Sequence, residues 1–487
     1  MKISISYPPI ESNKGVPLLS QNRQFQYFSE STYVYPIVPA YAATLLNRAG
    51  HEVIWDDGIA EEKLYDQWLS DLKRNDPDVV MIETKTPVVK KHWRIIGDVK
   101  QASPETRIVL VGDHVTALPR ESMEKSQVDY VLTGGDYDFL LLNLVEHLDG
   151  KAEAFEPGIW YRKNGEIKST GRFQLNHNLD SLSFIDRDLT KWWLYSEKNG
   201  NYKVTPGTYT MFARDCWWRM DGGCSFCAWC VLYPIFRARK PELLVDEIGM
   251  LIEKYRVREV FDDSGSFPVG EWLRKFCKLM IERRYNEKVY FSCNMRFGAL
   301  TEEDYQMMKK AGFRMLLFGL ESGSQRILDE INKGLTVDEI VDSCRKAKEA
   351  GLTVHITIMF GYPNALREEE LQTYLLARKL MEEGYADTLQ STLVVPYPGT
   401  RLYEMALENG WLRFSPGEWE RWDMSEQVLK SSDMSPEEVK RLCDETYKLF
   451  LSPRYVLRRM LSIRSFGDLR FAFRGARKVL GHIKDFE

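Results

Sequence analysis

Long apolar runs are missing from this chain. No stretch approaches the roughly 18–20 uninterrupted apolar residues of a membrane span, and the first ten residues, MKISISYPPI, have no apolar core of a secretory signal and read as an opening β-strand. A strong charge of either sign is also missing: the net charge of -5 over 487 residues gives no reason to expect nucleic acid as a partner. There is no low-complexity tract and no short repeat of the solenoid kind. Eight cysteines are too few for a disulfide scaffold of this length, and without a secretion signal they imply a reducing, cytoplasmic setting.

What is present is a soluble, globular composition, 44% apolar and 28% charged, in a chain long enough for two or three domains. Strand-like runs at Lys2–Tyr7, His51–Trp55, Asp78–Glu83, Arg107–Val111 and Val128–Leu132 alternate with helical stretches such as 39–49. Residues 1–150 are therefore expected to form an α/β, doubly wound parallel sheet, whose ligands belong at the strand carboxyl ends after Tyr7, Glu83, Val111 and Leu132. Residues 151–205 read as a polar, irregular linker. A second series runs over residues 206–412, with strands at Tyr209–Ala213, Glu259–Asp262, Val289–Asn294, Met315–Gly319, Thr353–Phe360 and Thr388–Val395. Amphipathic helices fall between them at 241–255, 302–311, 325–332, 336–350 and 367–384. Six such units predict a partial barrel with its site at the strand carboxyl ends. Residues 413–487 read as helical and increasingly basic. Arg454, Arg458, Arg459, Arg464, Arg470, Arg474, Arg477 and Lys478 interleave there with aromatic and aliphatic residues. That composition suits contact with anionic lipid and equally a solvated helix face.

Four of the cysteines crowd into Arg214-Asp215-Cys216-Trp217-Trp218-Arg219-Met220-Asp221-Gly222-Gly223-Cys224-Ser225-Phe226-Cys227-Ala228-Trp229-Cys230, directly after the first strand of the second series. Structural zinc wants four ligands, commonly as two Cys/His pairs, and no second pair follows. Three thiolates around a [4Fe–4S] cluster leave one iron open for a small molecule, and the mouth of a barrel is the place for it. Either Cys216, Cys224 and Cys227 or Cys224, Cys227 and Cys230 could be the triad, and the spacing alone does not choose between them. Cys277, Cys293, Cys344 and Cys443 are scattered and read as buried apolar residues.

Cys224-Ser225-Phe226-Cys227, Phe261-Asp262-Asp263-Ser264, Cys293-Asn294-Met295-Arg296, Gly319-Leu320-Glu321-Ser322-Gly323-Ser324, Met359-Phe360-Gly361-Tyr362-Pro363 and Val395-Pro396-Tyr397-Pro398-Gly399-Thr400 follow successive strands. In that order they resemble the radical SAM enzymes, specifically those with an N-terminal cobalamin-binding domain. The gap between Cys216 and Cys224 holds seven residues where the family usually has three. The resemblance implies a cluster on Cys216, Cys224 and Cys227, with S-adenosylmethionine chelating the open iron. Phe226, Asp263, Ser264, Arg296, Glu321, Ser322 and Pro396 would surround that cosubstrate. Glu321 would accept from its ammonium, Ser322 would bond its carboxylate or ribose, and Arg296 would pair with its carboxylate. An outside electron donor such as ferredoxin or flavodoxin is also implied.

Tyr35-Pro36-Ile37-Val38-Pro39, Asp76-Pro77-Asp78-Val79-Val80, Gly112-Asp113-His114 and Thr133-Gly134-Gly135 resemble landmarks of the family's corrinoid domain. Cobalamin is thus implied near His114, Gly134 and Gly135, with no Asp-x-His-x-x-Gly motif to supply a cobalt-ligating histidine. The expected activity is modification of an unactivated carbon, foremost C-methylation, on a small-molecule or lipid substrate. Ring closure or carbon–carbon bond formation on a hopanoid-like or tetrapyrrole substrate, and a non-catalytic corrinoid or zinc module, are the alternatives. No residue is singled out as catalytic.

Overall fold

The computed structural model describes residues 1–19, 25–29, 31–219, 222–431 and 433–463, and Gly475 alone beyond them. Arg464, Arg470, Arg474, Arg477 and Lys478 of the basic tail lie outside the described residues.

The first sheet has seven strands in the spatial order Glu52–Asp57, Lys2–Tyr7, Val79–Glu83, Arg107–Val111, Tyr130–Leu132, Ile159–Lys163, Glu166–Ser169. The first five are parallel. Their centres are fully buried (Ile3, Ile5, Val80, Met81, Val109 and Leu110) because helices such as Ile37–Arg48, Val89–Ala102 and Tyr137–Leu148 cover both faces. The strand order reverses between Lys2–Tyr7 and Val79–Glu83, so a crevice is expected at their carboxyl ends. The segment after Leu132 is not irregular throughout. Ile159–Lys163 and Glu166–Ser169 form an antiparallel hairpin that extends the sheet, Trp160 pairing with Val131. Asn164-Gly165, both at positive φ, make its two-residue turn.

The second sheet has six parallel strands in chain order: Gly207–Thr210, Glu259–Asp262, Tyr290–Met295, Phe313–Glu321, Thr353–Phe360 and Thr388–Leu393. The helices expected between them are present at Pro241–Tyr255, Glu302–Lys310, Gln325–Glu330, Val337–Glu349 and Arg367–Glu383. A further one, Glu271–Glu282, was not read from the sequence; its apolar residues Leu273, Phe276, Cys277 and Met280 are buried. Two strand expectations shift. The Tyr209–Ala213 run ends at Thr210, and Ala213–Arg214 turns away to pair antiparallel with Arg237–Ala238. The fourth strand runs on past Gly319 to Glu321 through a bulge, where its register against Thr353–Phe360 slips by one.

The two halves share one contiguous apolar core. The segment after the first strand reaches the barrel as well: Gln390 donates to Gln26 at 3.2 Å, and Lys14 pairs with Asp423 at 2.6 Å. At the far end Pro453–Leu461 is held under the barrel. Tyr455 donates its hydroxyl to the Asp387 carbonyl at 2.8 Å, and Arg458 donates to that of Ala386 at 3.1 Å. Among the described residues no helix is long and apolar enough to cross a membrane.

Candidate radical and corrinoid sites

The strand pair Ala213–Arg214 and Arg237–Ala238 forms the neck of a loop that carries Cys216, Cys224, Cys227 and Cys230, all half-buried. Amide bonds from Cys227 to the Cys224 carbonyl and from Cys230 to the Cys227 carbonyl, both 3.1 Å, wind the Cys224–Cys230 stretch into successive turns. Three points bind the loop to the barrel rim. Ser225 donates its amide to the Ile331 carbonyl at 3.0 Å, Asn332 donates to that of Gly223 at 2.9 Å, and Trp218 donates its ring N–H to that of Asn332 at 3.0 Å. Two glycines allow the approach. A Cβ on Gly265 would lie 2.7 Å from the Asp215 carbonyl carbon, and one on Gly334 would strike the Trp218 ring at 2.2 Å.

Charge gathers around Cys224. Lys333 and Glu321 form a buried pair at 2.7 Å, and both act on that thiol, as does Arg296. The bulge and the positive φ of Glu321 turn this carboxylate out of the strand's alternation toward Lys333. Arg296 lies over the Trp218 ring at 4.0 Å and donates to the carbonyls of Lys333 and, at 2.9 Å, Gly334. Burial pushes the Cys216 thiol up to about 11; burial also raises Cys224, with Lys333 opposing. Holding iron therefore means giving up protons, and the two cations offset the thiolate charge that results. Four thiols on one loop at the barrel's carboxyl rim, beside two cations, are enough to give an iron–sulfur cluster three thiolates.

The other expected cosubstrate contacts are placed as follows. Asp263 accepts from Asn294 at 3.2 Å, and Ser264 accepts from the Ala213 amide at 2.9 Å, fixing the loop's entry. The Ser322 hydroxyl meets that of Thr373 at 3.2 Å and accepts from the Ser324 amide at 3.1 Å, so its bonds are already committed within the protein. Pro396 is buried within a tight turn closed by Tyr397 N–H to Val395 O at 3.0 Å. Phe226 is half-buried against the core. Sequence reasoning missed Gly265 and Glu370 as site builders. Glu370 is buried beneath Gly361-Tyr362-Pro363 and accepts from the Gly361 amide at 2.8 Å.

In the first domain, buried polar groups gather at the strand reversal where the crevice is expected. Tyr7 and Tyr137 both donate to Glu83, and Lys85 pairs with Asp113 at 3.4 Å. Donors and acceptors of this kind suit the amides and phosphate of a corrinoid. His114 is fully buried behind them; its ring meets Thr86 at 3.2 Å and Glu121 at 3.1 Å, and Trp419 packs edge-on. The missing side chains of Gly134 and Gly135 make room for Phe173 and Tyr233, respectively.

A model of the radical SAM superfamily matches residues 212–377, and one of the B12 binding domain matches residues 31–139. An uncharacterized methyltransferase of Pyrococcus horikoshii is 26% identical over 447 residues, 91% of this chain and 94% of that protein. The anaerobic magnesium-protoporphyrin IX monomethyl ester cyclase of Cereibacter sphaeroides is 26% identical over 381 residues, and the match spans 60% of the cyclase's own length. The solved structure of the radical S-adenosylmethionine methyltransferase TsrM from Kitasatospora setae, with cobalamin and [4Fe-4S] cluster bound, superposes with a TM-score of 0.64. It is 16% identical and the match covers 91% of this chain and 81% of that one, a likeness of fold.

Proposed function

Because the chain belongs to the radical SAM superfamily and joins to it a B12-binding domain, we propose that it is an enzyme that methylates an unactivated carbon of a small-molecule substrate. Its cofactors are a [4Fe–4S] cluster, S-adenosylmethionine and cobalamin. When bound, they supply an electron, a hydrogen-abstracting radical and a transferable methyl group. The observation that carries the reading is the half-buried cysteine loop pinned at the barrel rim beside Lys333, Glu321 and Arg296.

Cys216, Cys224 and Cys227 hold the cluster in this reading. Lys333 neutralises the buried charge near Cys224, and its partner Glu321 accepts from the cosubstrate ammonium. Arg296, already over the Trp218 ring, offers its remaining N–H groups to a carboxylate. The loops after Asp262 and Glu321 exclude water from the rim. Cobalamin would lie at the crevice of the first sheet, beside the Phe173 and Tyr233 rings that cover Gly134 and Gly135, with His114 buttressing the crevice and not ligating cobalt. An outside protein donates electrons. A peripheral approach to anionic lipid through Pro453–Leu461 belongs to the same proposal, supported by the outward Leu457, Met460 and Leu461 beside Arg454.

The test is anaerobic reconstitution, followed by incubation with methyl-labelled S-adenosylmethionine, cobalamin and candidate substrates. Label in a product carbon supports methylation. Product formed with label confined to methionine favours ring closure, the second reading, which rests on the similarity to the cyclase.

A further inference from the structure

We propose that Asp136 and Asp138, in the first domain, are positioning residues for the cysteine loop, and that through them occupancy of the corrinoid crevice and of the radical site are coupled. Both stems of the cysteine loop are gripped by one short segment, residues 135–138. On the entering stem, Arg214 donates to Asp136 at 2.8 Å and to both oxygens of Asp138, at 2.9 and 2.5 Å. On the leaving stem, the Gly135 amide donates to the Leu232 carbonyl at 2.9 Å, and Tyr233 donates its hydroxyl to the Gly135 carbonyl at 3.0 Å. Arg237 closes the ring, chelating Asp136 with bonds of 2.8 and 2.6 Å.

The arrangement is stiff for a chemical reason. A guanidinium presents parallel N–H groups in one plane and matches a carboxylate in a single orientation. Arg214, Asp136 and Asp138 have side chains 2% exposed or less, so water does not compete for these bonds. Arg214 stands two residues before Cys216, in the strand pair that forms the loop's neck. A shift of residues 135–138 is thus transmitted to both ends of the loop at once. The same segment leads from the carboxyl end of Tyr130–Leu132 into Tyr137, whose hydroxyl donates to Glu83 at 3.3 Å at the strand reversal where the corrinoid crevice is proposed. The coupling half of the inference rests on that corrinoid reading; the positioning half does not. By linkage, the factor by which cobalamin tightens S-adenosylmethionine binding must equal the factor by which S-adenosylmethionine tightens cobalamin binding.

The test uses the full chain, reconstituted with iron and sulfide, as wild type, Asp138→Asn and Asp138→Glu. Iron per chain, the electron paramagnetic resonance spectrum of the reduced cluster during a titration with S-adenosylmethionine, and binding of hydroxocobalamin with and without S-adenosylmethionine are measured. Expected for Asp138→Asn is unchanged iron with at least tenfold more S-adenosylmethionine needed for the spectral change, a mutual enhancement reduced to one, and partial rescue by Asp138→Glu. If Asp138→Asn fails to fold, Tyr233→Phe, which deletes one bond to the clamp, is expected to show a severalfold loss. A wild-type spectral titration in Asp138→Asn, or in Tyr233→Phe where that variant stands in, overturns the positioning role. Hydroxocobalamin binding by the wild type that is indifferent to S-adenosylmethionine overturns the coupling alone. No hydroxocobalamin binding by the wild type overturns the corrinoid reading and the coupling with it, while the spectral arm still decides the positioning claim.

Discussion

Glu370 shows how a single side chain sets a pH response. Burial pushes its carboxyl up from 4.5 to about 7, against the bonds it accepts from the Gly361 and Tyr362 amides. A carboxyl raised on folding contributes stability below its unfolded value, and that contribution is lost as pH climbs through the folded value. Carrying the charge at pH 8 costs on the order of 3 kcal/mol. Glu370→Gln is therefore expected to raise the melting temperature at pH 8 and to have little effect at pH 4.5; equal effects at both pH values would refute the assignment. The Lys333–Glu321 pair makes a second prediction. Lys333→Met strands a buried carboxylate, for a loss of about 3 kcal/mol in chemical denaturation, and the double variant with Glu321→Gln recovers part of it. The cysteine loop was legible in the sequence because covalent spacing alone brings Cys216, Cys224, Cys227 and Cys230 together. Arg214 and Asp138 were not, since 76 positions separate them and only the assembled sheets bring them together.

At the scale of elements, strands buried on both faces were the easiest to read, because a run such as Val79–Glu83 is apolar almost throughout. The hairpin after residue 158 was hidden by its polar outer edge, with Arg162, Lys163, Glu166 and Lys168 in so short a span. The bulge at Glu321 was not legible either, since a one-residue slip against a neighbouring strand leaves no trace in periodicity. Capping has a measurable consequence. Thr336 accepts from the Glu339 amide while Glu339 accepts from that of Thr336, starting the helix that follows the Lys333-Gly334 turn. Thr336→Ala is expected to cost about 1 kcal/mol in urea unfolding, without changing iron content; loss of iron would show that the cap also shapes the site.

For the whole molecule, the shared core and the Arg214–Asp138 bridge imply that the two domains do not melt independently. Calorimetry of the full chain should give one cooperative transition, and two well-separated transitions would contradict that picture. The division into a doubly wound sheet and a six-stranded arc followed from the alternation of strands and helices. The way the two lock together did not, because it depends on ion pairs between distant segments. The most direct test of the account is the iron content and absorption of anaerobically reconstituted Cys216→Ala, Cys224→Ala, Cys227→Ala and Cys230→Ala. The first three should lose the cluster, and Cys230→Ala should keep about four irons per chain. A Cys216→Ala protein that holds its cluster while Cys230→Ala does not would contradict the assignment of the three ligands.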